Sequence, residues 1–366
     1  MPATISPSRR VQAALRAPGS VVHRVARPAS AWRAAAPRRS RKEQQTQQAR
    51  CSRLAVRAAA AAAAPDIAAL NNEFGIPDHV EVFAGLGGLP TVRLTHACGA
   101  SAEVCLFGGC ITSFKQASGD EVLYMRPDAL KVLQSDNPKS KPISGGIPHC
   151  FPQFGPSDKM QQHGFARNVD WEIASTSADP QPDDRDPEVT LVLSDSEYSR
   201  KMWPYKFKVA YSIALHGELL RVDMRVMNTD DKPFDFTCAL HTYVEVLDIE
   251  EAKVRGLKGL EYLDKTVDPK NPAKKTEDRE EVTFTGPTDS VYLKAKDFAE
   301  LDVGTGAAVT FTSNNFSDIV VWSPWTAMPD CYRSFCCVEN AQFSSPVTLK
   351  PGEFWRAQAE WAVRDL

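Results

Sequence analysis

Apolar and polar residues alternate with a period of two along much of the chain beyond residue 65. Across residues 207–215 every second side chain is bulky and apolar, and a similar alternation returns across 220–226 after a His-Gly-Glu turn. Successive side chains of a strand point to opposite faces, so this period is typical of strands with one buried face. The two segments and their turn predict a β-hairpin.

Shorter segments with strand patterns recur between turns rich in Gly, Pro, Asn and Asp. Helical periodicity is weak, and it predicts only short helices near Pro127–Leu133 and Ser196–Met202. Many antiparallel strands over about 300 residues predict an all-β protein, a large antiparallel β-sandwich or barrel. The further strands are predicted at residues 81–84, 91–95, 102–107, 171–175, 189–193, 234–246, 309–312, 319–322, 334–338 and 354–361.

Residues 1–64 differ from the rest of the chain in charge and composition. They hold 13 of the 43 Lys and Arg residues but only one of the 46 Asp and Glu residues, with many Ala and Ser and no long apolar run. This composition predicts an organelle transit peptide that ends in an Ala-rich processing region. We expect a chloroplast protein, with the mitochondrion as the alternative. A basic arm that binds nucleic acid or anionic lipid is another interpretation of the same charges.

Removal of that segment leaves residues 65–366 with a net charge of about −15, which disfavours a nucleic-acid partner. We expect these residues to form a single domain. They contain no run of apolar residues long enough to span a membrane. The nine cysteines are scattered, without the paired spacing of a zinc site, so we expect no metal and no structural disulfide.

Two loop segments carry polar residues that packing alone does not explain. Residues 143–156 form an apolar run punctuated by Gly and Pro, which predicts a rigid, irregular loop. Residues 161–168 bring Gln162, His163 and Arg167 around a glycine, which allows close approach of the backbone to a ligand. A guanidinium is suited to carboxylate or phosphate oxygens. The alternatives are a structural turn for the first segment and a structural ion pair for the second.

Two strand segments carry candidate proton-transfer groups. Period two puts His241 on one face with Tyr243 and Glu245, although a strand His is often only a hydrogen-bonded structural residue. Glu339 follows the apolar residues 335–338 and is predicted at the end of a strand. A buried carboxylate is costly unless it is paired or used, which distinguishes Glu339 from an ordinary surface residue.

Six segments, taken in order, resemble the glucose-6-phosphate 1-epimerase branch of the aldose 1-epimerase family. They are GGIPHCFPQFGP, QQHGFARNVDW, LHTYVEV, GLKGLEYLDK, VVWSPW and FCCVENA, within a resemblance that runs from about Asp78 to the C-terminus. The resemblance implies a galactose mutarotase-like supersandwich. It also implies an isomerase that interconverts the α and β anomers of a hexose 6-phosphate and needs no cofactor.

The resemblance also implies roles for single residues. His241 matches the catalytic acid and Glu339 the catalytic base, and we expect them on opposite sides of the sugar. One proton leaves the C1 hydroxyl and another reaches the ring oxygen, so the ring opens and can close on its other face. Substrate binding is implied for four residues of two other motifs, Gln162, His163, Arg167 and Asp264.

Ser144 departs from the family pattern, which has an arginine before Gly-Gly-Ile-Pro. A serine supplies no charge, so the binding of phosphate is expected to weaken or to pass to Arg167, Lys141 or Arg126. Two alternatives follow: an aldose 1-epimerase that acts on unphosphorylated sugar, and a non-catalytic carbohydrate-binding protein. We expect a monomer.

Overall fold

The alternating sequence folds into three antiparallel sheets, seen in a computed structural model that describes residues 66–178, 186–295 and 298–366. The described residues belong to one compact unit, Ala64–Leu366. The predicted transit peptide lies outside them. No helix among them has the length and apolar character needed to cross a membrane.

The described residues form 21 strands and three short α-helices. The helices are α1 (Ile67–Phe74), α2 (Pro127–Leu133) and α3 (Glu197–Met202). The first strands are β1 (Val80–Ala84), β2 (Pro90–Thr95), β3 (Ser101–Cys105), β4 (Cys110–Lys115), β5 (His149–Cys150), β6 (Glu172–Ala178), β7 (Pro187–Ser194), β8 (Phe207–His216), β9 (Leu219–Asn228), β10 (Phe234–Leu240) and β11 (Tyr243–Glu245). They are followed by β12 (Lys253–Arg255), β13 (Glu261–Asp264), β14 (Ala273–Thr276), β15 (Glu281–Thr283), β16 (Thr288–Tyr292), β17 (Phe298–Asp302), β18 (Ala307–Asn314), β19 (Asp318–Ser323), β20 (Phe335–Leu349) and β21 (Phe354–Asp365).

The strands are arranged in one small and two large sheets. Strands β1 to β4 form a four-stranded meander in chain order. The nine-stranded sheet has the order β15-β12-β17-β18-β21-β9-β8-β7-β6, and it contains the predicted hairpin as β8 and β9. The eight-stranded sheet has the order β14-β13-β16-β19-β20-β10-β5, with β11 also paired to β20. The predicted antiparallel β-sandwich is confirmed.

The main core draws on all three sheets. Leu240 and Val338 of the eight-stranded sheet belong to the same apolar cluster as Val222 and Trp361 of the nine-stranded sheet. Neighbouring residues on the same strands of the eight-stranded sheet belong to a second cluster. That second cluster consists of Cys150, Phe154, Ala239, Val291, Val320 and Ala341. Because side chains alternate along a strand, it lies on the sheet face opposite the main core, which we call the outer face.

Local sequence accounts for the helices. Both predicted helices are present: Pro127 occupies the first turn of α2, and Ser196 forms a capping box at the start of α3. Helix α1 was not predicted, although Ile67, Leu70 and Phe74 recur at helical spacing within its eight residues. The carboxylate of Asp66 caps it by accepting from two backbone N–H groups.

Candidate active site

The strand predicted over residues 234–246 is interrupted at His241 and Thr242, between β10 and β11. The backbone N–H of His241 donates to the carbonyl of Pro148, and that of Tyr243 donates to the carbonyl of Gly146. The irregular Gly-Pro loop therefore takes over the hydrogen bonds that a continuous strand would use. The prediction of one unbroken strand was wrong because this partner is remote in sequence.

The prediction that Glu339 ends a strand was also wrong. Strand β20 runs for 15 residues, and Glu339 lies inside it opposite Val320 of β19. Leu240 pairs with Asn340 on the other side of β20, so His241 enters the sheet beside Glu339. The polar residues after Glu339 hid the rest of the strand from the hydrophobic pattern. Their backbone pairing with β10 nevertheless continues to Leu349.

His241 and Glu339 are in direct contact, with 3.3 Å between Nδ1 and Oε1. Only 7% of His241 and 1% of Glu339 are exposed. Neither Nδ1 of His241 nor Oε2 of Glu339 has a hydrogen bond of good geometry within the described residues. We expected the two groups on opposite sides of the sugar, but their contact leaves no room for a ring between them. Both groups can instead address the hydroxyl and ring oxygens, which share the carbon C1.

Burial sets the protonation of this pair. It raises the pKa of Glu339 well above its usual range, and the negative charge of Asp289 adds to the rise while Lys265 and Arg167 oppose it. Burial also lowers the pKa of His241 well below its usual range, helped by His163 and Arg167. In the ligand-free protein the shared proton therefore resides on Glu339.

His163 lies beside the pair, with its ring edge-on to that of His241 at 5.6 Å between centroids. Its Nδ1 accepts from the backbone N–H of Gly155 at 3.2 Å and also contacts the Cys150 thiol at 3.2 Å. Burial, reinforced by Arg167 and Lys265, lowers its pKa to about 3. His163 is therefore neutral, and because Nδ1 accepts, its proton belongs on Nε2. The Gln162 amide lies 3.2 Å from Nε2, and it accepts that proton only with its oxygen, rather than its nitrogen, turned towards the ring.

Arg167 is fixed next to the same group of side chains. Its Nη2 donates to the carbonyl of Gln162 at 2.9 Å, and its buried Nε has no hydrogen-bond partner in the described part of the chain. Its positive charge disfavours protonation of His241 and His163 and favours ionisation of Glu339. The structure thus brings four of the predicted residues together with Arg167, namely His241, Glu339, His163 and Gln162.

Asp264 is not among the contacts of this group. It ends β13, where its carboxylate accepts from Lys275 Nζ at 2.6 Å and from the Thr266 backbone at 3.0 Å. Burial raises the pKa of Asp289, the charge of Asp264 adds to that rise, and Asp289 in turn acts on Glu339. Asp264 therefore acts on the proton-transfer pair only indirectly, through Asp289.

Lys265 was not singled out from the sequence. It lies closer to the proton-transfer pair than its neighbour Asp264 does, because its charge acts directly on Glu339. Its side chain is 11% exposed, and Nζ lies 3.6 Å from Asp289 Oδ1 and 5.4 Å from the centre of the Phe154 ring. Its charge favours ionisation of Glu339. The sequence does contain a signal for Lys265, which ends the GLKGLEYLDK motif directly after Asp264.

Aromatic rings form another wall of the site; Tyr243 was predicted on the face of His241, whereas Trp322 was not singled out. Tyr243 stacks on His241 with 4.7 Å between ring centroids, and Trp322 meets His241 edge-on at 5.8 Å. Trp322 remains partly exposed in β19. Alternation along β19 could have put the Trp322 ring on the face of Glu339 as well. Such rings offer an apolar surface to the C–H groups of a ligand.

Ser144 lies at the edge of the site, and its carbonyl accepts from the backbone N–H of Arg126 at 3.2 Å. The positive charge of Arg126 reaches His241, whose protonation it disfavours. Lys141, the third cation considered for the missing charge, is exposed. No group of three His, Cys, Asp or Glu side chains in the described ranges is arranged to hold a metal ion.

The fold and the site define a sugar mutarotase, a β-sandwich isomerase with a buried His and Glu side by side on the outer face of one sheet. The sequence model of aldose 1-epimerases matches residues 90–361, and the chain belongs to the aldose 1-epimerase family.

Individual relatives and structures agree with this membership. A candidate glucose-6-phosphate 1-epimerase of Cenchrus ciliaris is 38% identical over 287 residues, covering 74% of this chain and 84% of the relative. A protein with the same description from Escherichia coli is 31% identical over 258 residues, covering 66% of this chain and 80% of the relative. The crystal structure of a candidate mutarotase from Salmonella typhimurium has a TM-score of 0.66 at 26% identity and covers 76% of this chain and 91% of that chain.

Proposed function

We propose that this isomerase interconverts the α and β anomers of glucose 6-phosphate, with His241 and Glu339 as the proton-transfer pair. The observation that carries the proposal is the contact of two buried groups, 3.3 Å apart, whose Nδ1 and Oε2 have no hydrogen-bond partner among the residues that the structure describes. Such atoms are costly in a folded protein unless a ligand uses them. The hydroxyl and ring oxygens of a pyranose can supply the missing hydrogen bonds.

Ring opening requires His241 to carry a proton and Glu339 to be ionised. Burial favours the proton on Glu339, so binding of the substrate has to move it to His241, whose Nδ1 lies 3.3 Å from Oε1. A sugar hydroxyl that donates to the carboxylate stabilises its charged form and lowers its pKa. Lys265 and Arg167 act in the same direction.

Proton transfer then follows in two reversible stages. Glu339 takes the proton of the C1 hydroxyl while His241 gives its proton to the ring oxygen, the bond between C1 and that oxygen breaks, and the aldehyde forms. After rotation about the bond between C1 and C2, the C5 hydroxyl attacks C1 and gives its proton back to His241, Glu339 returns its proton to the C1 oxygen, and the other anomer closes. A positioned group of this kind typically contributes about 10²- to 10⁴-fold to the rate.

Substrate binding falls to the residues around the pair. Gln162, His163 and Arg167 offer donors and acceptors to the sugar hydroxyls, and Asp264 acts through its neighbours at the end of β13. Ser144 borders the opening. In this proposal the catalytic unit is residues 65–366, a monomer, and residues 1–64 direct it to the chloroplast, with the mitochondrion as the alternative. The support for a plastid is the Arg-rich start of the chain and its similarity to a plant relative.

An aldose 1-epimerase of unphosphorylated sugar is the second candidate, and the uncharged Ser144 favours it. Decay of optical rotation separates the candidates. Freshly dissolved α-glucose 6-phosphate, α-glucose and α-galactose are each followed with and without the protein. Acceleration confined to the two unphosphorylated sugars supports the second candidate. No acceleration with any sugar excludes both.

The variant Glu339→Gln tests the proton-transfer pair. We expect a loss of about 10²- to 10⁴-fold in kcat, because glutamine keeps the shape but cannot accept the proton. His241→Asn should cause a similar loss. The expected unfolding temperature is close to that of the wild type, since the substitution removes a buried carboxyl that lacks a full set of partners.

Glu300→Gln is the matched control, since Glu300 is also buried but lies in the nine-stranded sheet. Its carboxylate accepts from Arg255 at 3.2 Å and from Arg364 at 2.7 Å. This variant should lose stability and keep its kcat. Near-normal turnover by Glu339→Gln would remove Glu339 from the mechanism.

A further inference from the structure

Arg126 is held at the edge of the site by a close approach of two chain segments. Its backbone N–H donates to the carbonyl of Ser144, and the N–H of Gly146 donates to the carbonyl of Tyr124 at 2.9 Å. A Cβ at Gly145 would lie 2.7 Å from the Cα of Met125, so only glycine fits between the segments. The position of Arg126 beside Ser144 is therefore fixed by the backbone.

The guanidinium of Arg126 is held in one orientation by hydrogen bonds that occupy only some of its N–H donors. Its Nε and Nη2 donate to Asp128 at 2.9 and 2.7 Å, and its side chain is 16% exposed. The Tyr243 hydroxyl lies within reach of the same guanidinium. A guanidinium has five N–H donors, so the Asp128 bonds leave donors for an anion. The ring of Tyr243 stacks on His241, which puts Arg126 one ring away from the reacting pair.

Lys265 and Arg167, the other two cations of the site, have partners closer to the proton-transfer pair. Lys265 is paired with Asp289 at 3.6 Å. Arg167 donates to the carbonyl of Gln162, and its charge acts on both members of the proton-transfer pair. Arg126 lies instead on the far side of the Tyr243 ring. A hexose 6-phosphate carries its phosphate on C6, at the end of the sugar remote from C1. The cation that binds this phosphate should therefore lie away from His241 and Glu339, which act at C1.

We propose that Arg126 binds the phosphate group of the substrate and supplies, from the neighbouring segment, the charge that Ser144 lacks. The inference rests on the proposed function and deepens it, because it identifies the residue that selects phosphorylated over unphosphorylated hexose. Asp128 is a positioning residue that fixes the guanidinium through Nε and Nη2. The planar fork of arginine matches phosphate oxygens better than a lysine does.

The test measures dissociation constants by calorimetry for glucose 6-phosphate and for glucose, with wild type, Arg126→Gln and Arg126→Lys. We expect the constant for glucose 6-phosphate to rise about 10- to 100-fold in Arg126→Gln, the usual effect of losing charged hydrogen bonds. Arg126→Lys should give a smaller rise. Competition by inorganic phosphate should weaken in the same order. Arg356→Gln is the matched control, since Arg356 also pairs bidentately with an aspartate, Asp223, but lies in the nine-stranded sheet.

The outcomes separate this inference from the proposed function. An unchanged constant for glucose 6-phosphate in Arg126→Gln overturns the inference, and a rise in Arg167→Gln alone transfers the role to Arg167. If the wild type prefers glucose 6-phosphate through Arg126 but accelerates no anomer exchange, the proposed function fails and the phosphate site stands. If the wild type binds neither sugar, both fail.

Discussion

At the scale of single residues, the buried contact of His241 and Glu339 determines how activity should depend on pH. A free histidine titrates near pH 6.5, but burial lowers the pKa of His241 well below that value. Burial raises the pKa of Glu339, so the pair as a whole keeps one proton across the region in which each group would titrate alone. The pair behaves as one acid-base unit.

We therefore expect kcat/KM to stay level through pH 6.5 and to fall only when a second proton binds, well below that pH. The profile is measured by polarimetry, with the spontaneous rate in each buffer subtracted. The substrate phosphate itself titrates near pH 6, so glucose 6-sulfate serves as a matched substrate without that group. An acid limb near pH 6.5 with both substrates would contradict the shared-proton arrangement.

At the scale of elements, the two residues of β5 face different environments, one the site and the other the core. Cys150 faces His163 in the site, whereas His149 packs into the core with its ring 4.7 Å from Trp171 and 4.3 Å from Tyr211. Successive side chains of a strand point to opposite faces, so the two residues serve different sides of the sheet. Burial lowers the pKa of His149 to about 3.

His149 should therefore make the fold less stable in acid. Between its folded pKa of about 3 and its unfolded value near 6.5, the unfolded chain binds the extra proton, so stability is lost as pH falls. The expected loss is roughly 1.4 kcal/mol for each pH unit within that window. Chemical denaturation at pH 7 and pH 5 should show a smaller loss in His149→Phe.

Tyr211→Phe provides the control in the same pocket, because it removes a buried hydroxyl that does not titrate in this range. Its effect on the free energy of unfolding should be equal at both pH values. A loss in His149→Phe as large as in the wild type would assign the acid sensitivity to the other buried histidines.

Most elements could be predicted from period two, because alternation reports directly which face of a strand is buried. The break between β10 and β11 could not, since it depends on carbonyls of Pro148 and Gly146 that only the folded chain brings close. The length of β20 was hidden by polar residues that the backbone pairs regardless of their side chains. For the site, motifs singled out His241 and Glu339, and the sequence named Arg126 among three candidate cations, but the contact of the pair and the position of Lys265 required the folded chain.

At the scale of the whole molecule, residues 66–366 should fold and act without the segment that precedes them. Ala64–Leu366 is a compact unit that contains both large sheets and the site. A protein that begins at Asp66 should match the full chain in kcat and in unfolding temperature. A large drop in either quantity would show that residues 1–65 contribute to the folded enzyme.

The site lies on the outer face of the eight-stranded sheet, whereas the main core lies on the other face. Buried groups that await a ligand lower the stability of the protein, and substitutions that remove them are commonly neutral or stabilising. If a duplicated gene lost the codons for His241 and Glu339, its product would therefore keep a stable fold. Selection could then reshape the outer face for recognition alone, so descendants of such an enzyme can retain its architecture long after the chemistry has gone.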